Sequence, residues 1–118
     1  MVYFSLLQPK RIALITKEAA EAKQAVDPVV LDLSRFTSLA HYFVVTHGNS
    51  DRHVRAIAQN IQEELEKHEI KLWHLEGMTD GRWVLLDCGS TIVHVFYREL
   101  REFYALERLW GDAPRVKV

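Results

Sequence analysis

The sequence predicts a single α/β domain of three helices and five strands, in the order helix, strand, strand, helix, strand, strand, strand, helix. Apolar residues recur at helical spacing in three segments, and five other segments show short apolar runs or strict alternation. A length of 118 residues with 48% hydrophobic residues suits one globular domain that buries most of its apolar surface. We therefore interpret residues 1–118 as one domain, with an N-terminal arm at residues 1–10 and a tail at residues 113–118.

The first helix is predicted over residues 11–25, where Pro28 closes the segment because proline cannot continue a helix. Its apolar positions follow helical spacing and comprise Ile12, Ile15, Ala19, Ala22 and Val26. The first strand follows at Val29–Leu33. The second strand, Tyr42–Thr46, has a continuous apolar run that is typical of a buried strand.

The second helix is predicted to begin at the turn Gly48-Asn49-Ser50-Asp51. Asn49 or Ser50 can cap the free N–H groups of the first turn, and the carboxylate of Asp51 complements the helix dipole. The buried stripe of this helix comprises Val54, Ile57, Ala58, Ile61 and Leu65. A third strand follows at Leu72–Glu76, and Asp80-Gly81 marks the turn into the fourth.

The last two strands form a hairpin around Gly89-Ser90, a pair that fits a two-residue turn. This turn places Trp83 opposite Phe96, Leu85 opposite His94 and Asp87 opposite Ile92. The other face of the hairpin is the better core face; it carries Val84, Leu86, Cys88, Thr91, Val93, Val95 and Tyr97.

The face that carries Trp83 mixes two aromatic rings with a carboxylate and an imidazole. Such a face indicates a surface that another macromolecule covers, since tryptophan is enriched at binding hot spots. The spacing is equally compatible with Trp83 and Phe96 lying under a helix, with Asp87 and His94 at the sheet edge.

An amphipathic third helix follows the hairpin. Its apolar arc comprises Leu100, Phe103, Tyr104, Leu106 and Trp110. Glu107 falls inside this arc, where a carboxylate is costly unless it is paired or hydrated. Two interpretations remain open: Glu107 bonds an arginine or a backbone N–H within the domain, or it contacts a basic partner.

Composition argues against several functional classes. The net charge of −1 lacks the basic excess of proteins that grip nucleic acid through phosphates, so little direct nucleic-acid contact is expected. One cysteine excludes an intrachain disulfide framework and predicts a reducing, cytoplasmic setting. The N-terminus resembles neither a signal peptide nor a membrane span.

No metal site or catalytic set is expected. The spacing of His41, His47 and His53 matches no usual zinc signature. Asp87 and His94 could form an acid–base pair, but no nucleophile is clearly placed beside them. Cys88 is interpreted as a small buried residue.

Four motifs together resemble the ribosomal silencing factor family, also called the Iojap-related family. They are Gly48–Ala58, Trp83–Asp87, Val93–Phe96, and Arg101–Tyr104 followed by Leu106–Trp110. The resemblance covers about residues 12–112. It implies a mixed sheet of about five strands flanked by helices, in a nucleotidyltransferase-like fold.

The resemblance also implies a function. Its members bind the large ribosomal subunit through large-subunit ribosomal protein uL14 and block joining with the small subunit, which represses translation when nutrients are scarce. The role needs neither catalysis nor a cofactor, and a homodimer is compatible with it. The partner-binding residues that it implies are Trp83, Leu85, Asp87, His94, Phe96, Tyr104 and Glu107. We expect Trp83→Glu to weaken ribosome binding without unfolding the domain.

The alternative function is a nucleotide-binding or vestigial nucleotidyltransferase-like domain. The turn at Gly48-Asn49-Ser50-Asp51 could hold a phosphate at the start of a helix. Nucleotidyltransferases also need paired strand carboxylates for Mg²⁺. The chain has no Asp-x-Asp or Asp-x-Glu, and Glu64 and Glu66 lie on a helix. The sequence therefore favours an ordinary helix cap at this turn.

Overall fold

The computed structural model describes residues 9–36, 38, 40–104 and 114–116, with side chains up to Arg101 and at 114–116. The elements are α1 (Pro9–Glu21), β1 (Val26–Asp32), β2 (Tyr42–Gly48), α2 (Asp51–Lys67), β3 (His74–Glu76), β4 (Trp83–Asp87), β5 (Thr91–Tyr97) and α3 (Arg98–Tyr104). One mixed sheet has the order β1-β2-β5-β4-β3, in which only β2 and β5 pair in parallel. The predicted α/β fold with a five-stranded mixed sheet is confirmed. The nucleotidyltransferase-like label stays a prediction.

Helix α1 begins earlier and ends earlier than the apolar spacing predicts. Pro9 and Lys10, assigned to the arm, are helical, as suits a proline at the first helical position. The helix ends at Glu21 because Gln24 takes the left-handed conformation, with φ of 56°, and the Ala25 N–H bonds the Ala20 carbonyl at 3.1 Å.

Pro28 does not close the helix; it lies within β1. The register of β1 against β2 shifts between Val26 and Val29, so Pro28 occupies an irregular stretch. Such bulges on outer strands accept proline because no ladder hydrogen bond is lost. The apolar pattern that was assigned to the first helix therefore continues past the end of the helix at Glu21 and includes Val26, the first residue of β1.

Helix α2 is built as the sequence predicts. Of the two candidate caps, Ser50 is the one used: its Oγ accepts from the N–H of His53 at 3.0 Å. The five residues of the predicted stripe are each at most 1% exposed. The helix ends with the same motif as α1, since Glu69 has φ of 57° and the Ile70 N–H bonds the Leu65 carbonyl at 2.8 Å.

Helices α1 and α2 pack together over one face of the sheet and form the core. The strand residues in this core are Val30, Val44, Val84, Leu86, Val93 and Val95, and Cys88, which directly follows β4, packs with them. Full burial of one such aliphatic side chain stabilises the fold by about 1.5–3 kcal/mol. The better face of the predicted hairpin is therefore the core face.

The hairpin has the predicted register. Trp83 pairs with Phe96, and the Cys88 N–H bonds the Thr91 carbonyl at 2.8 Å across the Gly89-Ser90 turn. Gly89 has φ of +86°, a conformation that glycine adopts without steric cost. This turn fixes which side chains share a face.

The opposite face of the sheet, here called the outer face, consists of rows that run from β1 to β3. One row is Val29, Val45, His94, Leu85 and Glu76; the next is Leu31, Phe43, Ile92, Asp87 and His74. Burial decreases along both rows, from buried side chains on β1 to exposed ones on β3. The accessible part of the outer face thus lies on β4 and β3.

Helix α3 packs near the β2 and β5 end of the outer face and is held by Arg101, which is 7% exposed. Its Nη1 lies 3.1 Å from the Val26 carbonyl oxygen and 3.0 Å from Nδ1 of His47, and its Nη2 lies 3.7 Å from Oδ2 of Asp27. One guanidinium therefore joins α3 to two strands.

Candidate partner-binding surface

Trp83, the first residue of β4, is partly exposed on the outer face. Its ring lies 4.9 Å from the ring of Phe96, and its Nε1–H donates to Nδ1 of His94 at 3.1 Å. The strand can begin here because Gly77 has φ of +90° and carries no Cβ, which would collide with the Trp83 carbonyl oxygen. The backbone and the indole of Trp83 are therefore both constrained.

His94 lies beneath Trp83 and is only 5% exposed. Burial lowers the pKa of His94 to about 4, so the imidazole is neutral at neutral pH. Since Nδ1 accepts from Trp83, the proton sits on Nε2, which is buried and has no hydrogen-bond partner among the described residues. The ring of Phe43 meets His94 edge-on, with the ring centroids 4.6 Å apart.

The predicted site residues differ in how far they are buried. Trp83, Leu85 and Asp87 are partly exposed, whereas His94 is buried and Phe96 has no exposed surface. Tyr104 is the last residue of α3, and its side chain lies outside the described part of the chain, as do Glu107 and Trp110. Direct contact with a partner is thus open to the three residues on β4.

Asp87 shapes the tip of the hairpin. Its Oδ1 accepts from the Gly89 N–H at 2.8 Å, and its carbonyl accepts from the Trp73 N–H at 2.8 Å. Across the hairpin Asp87 pairs with Ile92 rather than with His94. Neither of its two hydrogen bonds joins it to His94, so they do not make an acid–base pair of these two residues. Burial raises the pKa of Cys88 to about 12, so its thiol is no nucleophile at neutral pH.

Two aromatic residues near this surface, Phe43 and Trp73, were not predicted from the sequence as part of it. Phe43 joins the outer face through the parallel pairing of β2 with β5, and the only signal for it was alternation along its own strand. Trp73 is 62% exposed beside Gly89, and Nζ of Lys71 lies 3.9 Å from its ring centroid. It was predicted to lie within the third strand, Leu72–Glu76, but the strand begins at His74, and the apolar pattern gave no indication of this exposure.

A depression of about 450 Å³ lies at the start of α2. It is lined by Asn49, Ser50, Asp51, Asp80, Arg82, Tyr97 and Glu99. Two of the backbone donors that a phosphate could use are engaged, since the Asn49 N–H donates to Nδ1 of His53 and the His53 N–H donates to Oγ of Ser50. Three carboxylates in this lining oppose an anion, so the geometry favours a cap over a phosphate site.

Among the residues that the structure describes, no three His, Cys, Asp or Glu side chains are grouped closely enough to hold a metal ion. Within residues 9–36, 38, 40–104 and 114–116, no helix has the length and apolar character needed to cross a membrane.

Comparison with known proteins gives the same family as the sequence motifs. Residues 7–118 match the family model described as "Ribosomal silencing factor during starvation". The chain is 42% identical over 108 residues to a ribosomal silencing factor of Bacillus subtilis, covering 92% of each chain. It is 30% identical over 91 residues to a Mus musculus protein named for mitochondrial assembly of the ribosomal large subunit, covering 75% of this chain and 40% of that one.

Solved structures agree in fold. A crystal structure of a Chromobacterium violaceum protein superposes with a TM-score of 0.86 at 36% identity, covering 88% of this chain and 87% of that one. Both the sequence and the fold are thus matched over most of the chain. The chain belongs to the ribosomal silencing factor family.

Proposed function

We propose that this chain binds the large ribosomal subunit through large-subunit ribosomal protein uL14 and prevents joining with the small subunit. The role is steric: the bound chain occupies space that the small subunit needs, and translation falls under nutrient limitation. The observation that carries the proposal is the accessible part of the outer face, in a chain of this family. Neither catalysis nor a cofactor takes part, and the proposed setting is the cytoplasm.

The accessible part of the outer face has the chemistry of a protein-binding surface. Trp83 and Leu85 offer apolar contact area, and Asp87 adds a carboxylate beside them. Aromatic anchors with a polar rim are typical of protein interfaces. The net charge of −1 favours a ribosomal protein over ribosomal RNA as the main contact.

The remaining predicted contacts rest on the sequence. Tyr104 and Glu107 are proposed as further contacts because they match the family motif beyond the hairpin. His94 and Phe96 are proposed to support the surface from below, since both are buried. A homodimer through an apolar helix face stays a prediction that sedimentation equilibrium can test.

The test is sedimentation of the purified chain with separated ribosomal subunits. We expect it to travel with the large subunit and to lower the fraction of joined ribosomes. The variant Leu85→Glu places a charge on the accessible part of the outer face, and we expect it to reduce binding at least tenfold, since about 1.4 kcal/mol corresponds to tenfold. Leu85 is partly exposed and pairs with Glu76 across the strands, so circular dichroism is used to check that the variant is folded.

The control is Gln59→Glu, which adds the same charge on the exposed side of α2, a helix that packs on the opposite face of the sheet. We expect this variant to bind and to block joining as the unchanged chain does. Normal joining in the presence of saturating unchanged chain would contradict the proposal. Normal binding by a folded Leu85→Glu variant would place the interface elsewhere on the molecule.

A further inference from the structure

The His94 imidazole is an unusual component of the outer face. It is 5% exposed, its Nδ1 accepts from the Trp83 indole, and within the part of the chain that the structure describes its Nε2 has no hydrogen-bond partner. An unpaired buried N–H opposes folding, because the group loses water without gaining another acceptor. An apolar side chain would fill this position without that loss, so stability alone does not account for a histidine here.

The geometry shows what the imidazole can do: it holds the indole of Trp83 in one orientation. The indole ring of Trp83 packs on Phe96 at 4.9 Å on one side of the strand pair, and the bond to His94 fixes its direction. The rings of Phe43 and Phe96 in turn hold the imidazole, with centroids 4.6 Å and 6.1 Å from that of His94. The acceptor that Trp83 uses is therefore itself immobilised.

We propose that His94 is a positioning residue that orients the Trp83 indole for the partner, through the Nε1–H to Nδ1 bond, without touching the partner itself. This inference rests on the proposed function, because it assumes that Trp83 contacts the large subunit. Fixing a side chain before binding removes the entropy that would otherwise be lost on association. The expected gain in affinity for one aromatic side chain is about threefold to tenfold.

The variants His94→Leu and His94→Asn separate the acceptor from packing. His94→Asn retains an acceptor oxygen near the position of Nδ1, whereas His94→Leu has similar branching and no acceptor. We expect His94→Leu to bind the large subunit about threefold to tenfold more weakly while its unfolding midpoint stays equal or rises. We expect His94→Asn to be the less stable of the two and the tighter binder.

A double-mutant cycle gives the sharper readout. Trp83→Phe retains a ring but removes the N–H, so in that background His94→Leu should have no further effect on affinity. The Trp83 indole resonance in a ¹⁵N spectrum should shift in His94→Leu and return toward its original position in His94→Asn. A role in packing alone would move affinity and unfolding midpoint together, in every background.

The outcomes separate this inference from the proposed function. If Leu85→Glu abolishes binding but His94→Leu binds as the unchanged chain does, the positioning role is overturned and the surface stands. An equal loss of affinity from His94→Leu in the unchanged chain and in the Trp83→Phe variant overturns it as well. If Leu85→Glu and Trp83→Phe both bind normally, the proposed surface and the positioning role are overturned together.

Discussion

At the scale of single residues, His94 links the acid stability of the domain to its buried interior. The folded state holds the pKa of His94 at about 4, against 6.5 for an unburied histidine, because burial disfavours the charged ring. Between these two values the unfolded chain binds a proton that the folded chain does not. Stability is therefore fully present above about pH 6.5 and is lost as the pH falls toward 4.

We predict that this single group lowers the free energy of unfolding by about 3 kcal/mol between pH 7 and pH 4. Urea unfolding of the unchanged chain and of His94→Leu at several pH values measures it. Other acidic groups titrate in both proteins, so the difference between the two curves isolates His94. Parallel curves for the two proteins would show that His94 is not the group responsible.

At the scale of helices and strands, both long helices end on a non-glycine residue in the left-handed conformation. Gln24 and Glu69 have φ values of 56° and 57°, where a Cβ is strained and glycine is not. Both residues are exposed, so their side chains contribute little packing that a substitution would remove. These two positions are therefore the places where a glycine is expected to stabilise the fold.

We predict that Gln24→Gly and Glu69→Gly each raise the free energy of unfolding by about 1 kcal/mol. Denaturant midpoints at constant slope check this. The matched control is Glu66→Gly, an exposed position inside the last turn of α2, where glycine should instead cost about 1 kcal/mol. A loss of stability in all three variants would show that left-handed strain is negligible at the helix ends.

The hairpin and the second helix could be predicted because their determinants are local. A two-residue turn fixes the register from Trp83 to Phe96, and the Ser50 cap precedes an apolar stripe of helical spacing. The burial of His94 and Phe96 could not be predicted, since it depends on β2, on α3 and on their packing against β5. The place of Phe43 on the outer face was missed for the same reason, because the pairing of β2 with β5 joins segments that are distant in sequence.

At the scale of the whole molecule, the two edges of the sheet differ. The β1 edge is covered by residues 114–116: the Asp32 N–H bonds the Pro114 carbonyl at 2.8 Å, and the Val116 N–H bonds the Val30 carbonyl at 2.9 Å. The β3 edge is three residues long and carries the carboxylate of Glu76, whose Oε1 lies 2.9 Å from Nε2 of His74. Covered, short and charged edges resist pairing between copies.

We predict that deleting residues 113–118 lowers the free energy of unfolding by about 2 kcal/mol, since two backbone hydrogen bonds of about 1 kcal/mol each are lost. The exposed β1 edge should also make self-association depend on protein concentration, which light scattering detects. Arg115→Ala, which retains the backbone, is the control and should leave both properties unchanged. A monodisperse, equally stable deletion variant would show that this edge needs no cover.

The place of β5 in the sheet bears on when the molecule becomes active. It is the central strand, yet it comes late in the chain, and its partner β2 lies 49 residues earlier. A chain that ends before Thr91 has β1 with β2 and β3 with β4, but lacks the strand that hydrogen-bonds to both pairs. Contacts of such long range form slowly and together, so folding during synthesis waits for the last quarter of the chain. A partly made chain accordingly lacks the outer face, on which the proposed binding to the large subunit depends.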